Sequence, residues 1–236
     1  MSTLIAFVFR MAFQLVINIA YVNRILFVLS WMTLALSFYF AVTTDEIPQE
    51  KKISTSHFYI SSAWKVDASR TISNLGVPLI AFMIAILLSA RYLQLREVLP
   101  HRSRILLCSL ITGLFASLGL IATCAVTLKK NQILHLVLAG LCFSFSCISM
   151  TCLHLVESRV SGKADIINRP ALYFRRFLLG LGIICGCLLA ASFAHVASSF
   201  LGSMAEVTVA FCILSSISSF GADLSRYNLV LSLVPI

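Results

Sequence analysis

Five long apolar runs occupy residues 25–42, 75–90, 105–127, 133–156 and 177–200, and a weaker sixth occupies 207–221. An α-helix rises about 1.5 Å per residue, so ~30 Å of hydrocarbon is crossed by about 20 apolar residues. Runs of this length and number confine the chain to a membrane. With 59% of residues hydrophobic and 11% charged, it carries more apolar surface than a water-soluble domain of this size can bury. Lipid offers no hydrogen bonds, so each spanning segment satisfies its own backbone by coiling into a helix. The alternation of a membrane barrel is absent. The expected fold class is all-α, a polytopic bundle of six transmembrane helices.

The net charge of +9 would suit a nucleic-acid partner, but the placement of the charges speaks for topology instead. Arg10, Arg24, Arg91, Arg96, Arg102, Arg104, Arg159, Lys163, Arg169, Arg175, Arg176 and Arg226 fall on one side of the six runs. Lys51, Lys52, Lys65, Arg70, Lys129 and Lys130 fall on the other. The excess of basic residues marks the first side, with both termini, as cytosolic. The expected partners are therefore membrane lipids, with anionic headgroups drawn to the basic face, and not nucleic acid.

Residues 4–22 are also apolar, but Arg10, Gln14 and Asn18 recur every four positions as one polar stripe. That pattern predicts an amphipathic helix lying in the membrane interface, with a seventh span as the alternative. A signal peptide would start basic and end at a small-residue cleavage site, and neither is present. The chain thus divides into an amphipathic segment (1–23), a six-span domain (24–226) and a short tail (227–236). All eight cysteines lie in or near the spans and none in the 43–74 loop, so no disulfide framework is expected. Cys185 and Cys187 stand closer together than the usual zinc pair and read as small packing residues.

Ionisable groups inside a membrane are costly and each needs a reason. His135 begins the fourth span, His195 lies near the end of the fifth and Glu206 opens the sixth, all toward the non-cytosolic face. Such a set offers binding or pH-sensing chemistry. Ser203-Met204-Ala205-Glu206 also fits an S-x-x-E capping box, which gives Glu206 a structural task at a helix start. On the cytosolic side, Arg91 ends the second span and Asp223 follows the sixth, a pair able to tie the rim of the bundle. Arg175 and Arg176 read as phosphate-level anchors, and His154 and Glu157 as rim or snorkelling groups. In the loop, Phe58, Tyr59 and Trp64 suit the interface. The tail segment Tyr227-Asn228-Leu229-Val230 has the Y-x-x-Φ form of an endosomal or lysosomal sorting signal, a short pattern common by chance. No G-x-S-x-G, H-E-x-x-H, P-loop or EF-hand run occurs, so no catalytic residue, metal or cofactor is assigned.

Several short stretches carry a family resemblance. Tyr59-Ile60-Ser61 in the loop is followed by Ala90-Arg91-Tyr92 at the end of the second span, and His135 opens the fourth. The most specific stretch is Glu206-Val207-Thr208-Val209-Ala210-Phe211, with Asp223 behind it. Together they resemble the family named for the damage-regulated autophagy modulators (DRAM), the Frag protein and yeast Sfk, which includes the Cwh-type amino-terminal domain. The DRAM branch is the nearest. Val207 replaces the family's tryptophan, Phe58 its proline, and Ser62-Ala63-Trp64-Lys65 its acidic, glycine-containing patch. The resemblance implies six spans and cytosolic termini. It also implies a non-enzymatic protein that modulates autophagy, placed in lysosomal or endosomal membranes. The other branches imply alternatives: lipid or GPI-anchor remodelling in the endoplasmic reticulum or Golgi, or phospholipid organisation at the plasma membrane. An ion or metabolite conduit is a third possibility for a six-span bundle with a polar cluster.

Overall fold

A computed structural model describes residues 14–43, 60–63, 67–99, 103–126, 130–161, 167–194, 198–225 and 228–232. The apolar runs form the helices α1 (Ile19–Thr43), α3 (Asp67–Val98), α4 (Arg104–Ala125), α5 (Gln132–Val160), α6 (Arg169–Phe193) and α7 (Ser199–Ser218), the last continued by α8 (Phe220–Leu224). Between α1 and α3 lies a single helical turn, α2 (Ile60–Ala63). Six of these units are long and apolar enough to cross a membrane. The chain is therefore a multi-pass membrane protein of all-α class. Large apolar side chains such as Phe82, Leu118, Phe177 and Ile184 point outward, a surface that only lipid tolerates in this quantity.

The helices outrun the apolar stretches that reveal them. α3 has 32 residues because the polar ends, from Asp67 and up to Arg96, continue the coil beyond the hydrocarbon. Starts are set by side-chain caps. Ser103, Asn131, Asn168 and Ser198 each accept a hydrogen bond from a backbone N–H in the first turn of α4, α5, α6 and α7 respectively. Pro170 follows Asn168 in the first turn of α6, where its missing N–H costs nothing.

The amino-terminal expectation needs correction. Gln14–Asn18 is a strand, β1, not part of an interfacial helix, and Ile19–Val22 belong to the first span. β1 pairs antiparallel with β2 (Asn228–Ser232), from Gln14 opposite Ser232 to Asn18 opposite Asn228. An even number of spans returns the chain to the face it left, which brings the two segments within reach. Leu15, Val16 and Ile17 suit a strand, and a ladder satisfies backbone groups that the four-residue polar stripe leaves out of account. Residues 4–13 of that expected helix lie outside the described residues.

The spans close into a ring. α1, α3, α4 and α5 pack in chain order, and the α6–α7 hairpin docks across them, α6 on α5 and α7 on α1. The basic-face half of the ring is filled by Leu26, Leu87, Leu95, Leu153, Phe220 and Leu224. Toward the opposite face, packing splits into a cluster of Ala41, Ala63, Val77 and Cys124 and a second of Cys185, Leu189, Ala205 and Val209 between α6 and α7. A thiol introduced at Ser62 and another at Ser161 are expected to react with an impermeant reagent from opposite sides of the membrane. Labelling of both from one side would overturn this topology.

Small residues let α4 and α5 approach closely. Ser109 Oγ donates to the Ser149 carbonyl (2.9 Å) and Ser149 Oγ donates back to the Ser109 carbonyl (2.8 Å). One turn on, a Cβ added at Gly113 would lie 2.6 Å from Leu88 Cδ1 and 2.8 Å from Ser149 Oγ. Gly113→Ala is therefore expected to cost about 1–3 kcal/mol through overpacking, read as a lower unfolding midpoint in detergent. Gly180→Ala, where an added Cβ meets nothing within 4 Å, is the matched control.

Candidate functional site: a buried charge network and a cavity

Four charged side chains from four helices meet at the basic end of the ring. Arg91 comes from α3, Glu157 from α5, Arg175 from α6 and Asp223 from α8, and all are buried. Arg91 Nε and Nη2 donate to Glu157 Oε1 (2.9 and 2.5 Å). Arg175 Nε donates to Glu157 Oε2 (3.0 Å). Asp223 Oδ2 takes Arg175 Nη2 at 2.8 Å and lies 3.0 Å from Arg91 Nη2. Its other oxygen accepts the backbone N–H of Asn168 at 2.6 Å. Gln94 joins by accepting from Arg91 Nη1 and donating to the Asp223 carbonyl (2.9 Å). Beneath, Phe220 presents its ring to both guanidinium groups, at 5.8 and 5.4 Å.

Two positive and two negative charges sum to zero, and every carboxylate oxygen has a partner. That is the condition under which charge tolerates burial, because desolvating an unpaired ion costs more than packing returns. The network also has a direction. Arg91 and Glu157 belong to the four-helix body, Arg175 and Asp223 to the hairpin docked across it. It is a clasp between the two.

Above the clasp, between body and hairpin, the ring surrounds a partly open cavity of about 150 Å³. α1, α2, α3, α4, α5 and α7 line it, whereas α6 does not. Its walls are mostly apolar, with hydroxyls from Ser30, Thr33, Ser117 and Ser146 among them. Ser30 Oγ is buried without a hydrogen-bond partner, an arrangement worth about 1–3 kcal/mol of lost stability.

His135 and Glu206 both line this cavity, toward the face opposite the clasp. His135 is buried, and its Nδ1 lies 2.5 Å from the Val126 carbonyl at the end of α4. Glu206 does not cap its own helix, contrary to the S-x-x-E reading. α7 starts at Ser199 behind the Ser198 cap, which places Glu206 in its second turn, and Ser203 Oγ donates to the Phe200 carbonyl (2.9 Å). Glu206 Oε2 instead accepts the N–H of Ile60 (2.7 Å), the first residue of α2. The carboxylate thus does meet a helix amino end, but that of another helix. It is a further tie to the hairpin, beside the clasp and the bond from Asn23 Nδ2 of α1 to the Ser218 carbonyl of α7 (2.6 Å). His195 lies outside the described residues.

Arg91 and Asp223, paired in the sequence reading, do meet, but as half of a larger set. Glu157 and Arg175 are the other half, and they are interior groups where a rim group and a lipid anchor were expected. Arg176 is the exposed one of its pair. Its Nε lies 3.1 Å from His154 Nε2, its Nη2 donates to Ser158 Oγ (3.1 Å), and Tyr173 flanks it. Tyr227 lies outside the described residues, and Val230 is in β2 opposite Val16. The cysteines are free, with Cys124, Cys142, Cys185 and Cys212 buried among the helices.

A helix bundle of six apolar spans, clasped by buried charge on one side and hollow toward the other, defines a polytopic membrane protein. Residues 18–227 match the family model described as Frag1/DRAM/Sfk1/Cwh43P N-terminal domain. The chain belongs to this family. No match was found among curated proteins or among solved structures.

Proposed function

We propose that the chain is a non-enzymatic multi-pass membrane protein that modulates autophagy from the lysosomal or endosomal membrane. The observation that carries this reading is the state of its buried charges. Arg91, Glu157, Arg175 and Asp223 are all committed to one another, so these four serve to hold two helix groups together. Membership of a family that includes the autophagy modulators supports the cellular assignment. The exposed Arg176 on the basic face suits anionic lipid headgroups as the standing partner.

One observation favours a second reading, lipid or GPI-anchor remodelling or phospholipid organisation in the secretory pathway: the apolar cavity lies at hydrocarbon depth. The filled, clasped half of the bundle weighs against a conduit. Cells lacking the protein separate the two. The first reading expects reduced autophagic flux, unchanged lipid chains on GPI-anchored proteins, and lysosomal residence of the tagged chain. Altered chains with normal flux and residence in the endoplasmic reticulum or Golgi would replace it by the second.

A further inference from the structure

Cys108 of α4 and Cys152 of α5 bring their sulfurs within 4.0 Å of each other, and each thiol is the other's only hydrogen-bond partner among the described residues. The helices are pinned at this point. Cys108 precedes Ser109 and Cys152 lies one turn after Ser149, the two serines that exchange hydrogen bonds across the α4–α5 contact. A disulfide holds its sulfurs about 2.05 Å apart, so each side chain has about 1 Å to travel.

The pair faces outward. Cys108 is exposed and Cys152 half-buried. Around them Leu107, Ile111, Ile148 and Leu155 are all exposed, a surface that meets lipid. Cys108 is also one turn from Arg104, the first residue of α4, which sets the pair just inside the basic face. A hydroperoxide group on a lipid chain is more polar than the chain and rises toward the interface, the depth of these thiols. Cys124, Cys142, Cys185 and Cys212 are buried and shielded from such an oxidant. On the side that the basic excess marks as cytosolic, disulfides are transient and redox-sensing, not structural.

We propose that Cys108 and Cys152 are a reversible redox pair. A hydroperoxide of the surrounding lipid closes them to a disulfide that ties α4 to α5, and a soluble thiol reopens it. The Cys108 sulfur takes the terminal oxygen as the O–O bond breaks, and its proton passes to the departing alkoxide. A sulfenic acid and a lipid alcohol result. The Cys152 sulfur then attacks the sulfenic sulfur, the S–S bond forms, and the hydroxyl leaves as water with the Cys152 proton. Two molecules of soluble thiol reverse the bond and end as a disulfide of their own. This chemistry is independent of the cellular role.

The test uses the full chain, reduced, in phosphatidylcholine vesicles, then exposed to a phosphatidylcholine hydroperoxide. Remaining thiols are alkylated after denaturation and peptides are mapped by mass spectrometry. A linked Cys108–Cys152 peptide is expected, lighter than its reduced halves by one hydrogen molecule, with the other cysteines alkylated. Glutathione should remove the link. Cys152→Ser is expected to stop at the sulfenic acid, which dimedone traps on Cys108. Cys187→Ser, at an exposed cysteine of α6, is expected to leave the link unchanged. The link is read on the unaltered chain and so does not depend on the variants folding. Full alkylation of Cys108 and Cys152, after an exposure that oxidises glutathione in the same suspension, would overturn the proposal. So would sulfinic acid at Cys108 without a link, or links to Cys147 or Cys187 at equal yield.

Discussion

Arg91→Ala is expected to destabilise the bundle by about 3–5 kcal/mol, the largest single loss among the side chains described here. The side chain is fully buried and holds Glu157, Gln94 and Asp223 together. Without it, two carboxylates share one guanidinium, and a net negative charge is left in the apolar end of the ring. The midpoint of thermal unfolding in detergent reads the loss, with the monodisperse fraction after heating as a second measure. Removing Arg91 and Glu157 together, as Arg91→Met with Glu157→Met, leaves Arg175 and Asp223 as a neutral pair. That double variant is expected to lose much less than the two single losses combined, because their coupling runs through one network. A single Arg91→Ala loss below about 1 kcal/mol, the worth of an exposed pair, would mean that the clasp is wet and weak.

This clasp was half legible in the sequence. Arg91, Glu157, Arg175 and Asp223 each stand at the basic end of a different apolar run, and their charges cancel. Equal numbers of opposite charges at one depth are a sign of interior pairing. Yet each of them taken alone also fits a snorkelling or headgroup role, and only the ring order of the helices puts all four in the middle. The spans were legible because a bilayer imposes the same demand on every crossing segment. Their ends were not, since a helix continues wherever the backbone stays satisfied. Residues 14–18 were misread for a related reason. A strand depends on its partner, and the partner of Val16 is Val230, at the other end of the chain. The cavity has no local signature at all. It arises where α7 stands off from α4 and α5 although each is well packed on another neighbour.

Glu206→Ala is expected to release α2 from the bundle, whereas Glu206→Gln is expected to be mild. The carboxylate accepts the Ile60 N–H at 2.7 Å, and a hydrogen bond to a charged group contributes about 1.5–3 kcal/mol. Alanine removes the acceptor and leaves a part-buried amide unmet. Glutamine keeps an oxygen at the same reach and gives up the charge and the second acceptor oxygen. The readout sits on α2 itself. Ala63 is buried against Ala41, Val77 and Cys124, so a cysteine at that position is expected to resist an impermeant thiol reagent. Adding Glu206→Ala should expose it, and adding Glu206→Gln should not. A Glu206→Gln chain that keeps Ala63→Cys protected yet loses activity would show that the charge itself matters, beyond its hold on α2. Equal protection of Ala63→Cys in all three backgrounds would separate Glu206 from α2 altogether and leave its burial to be explained by the cavity.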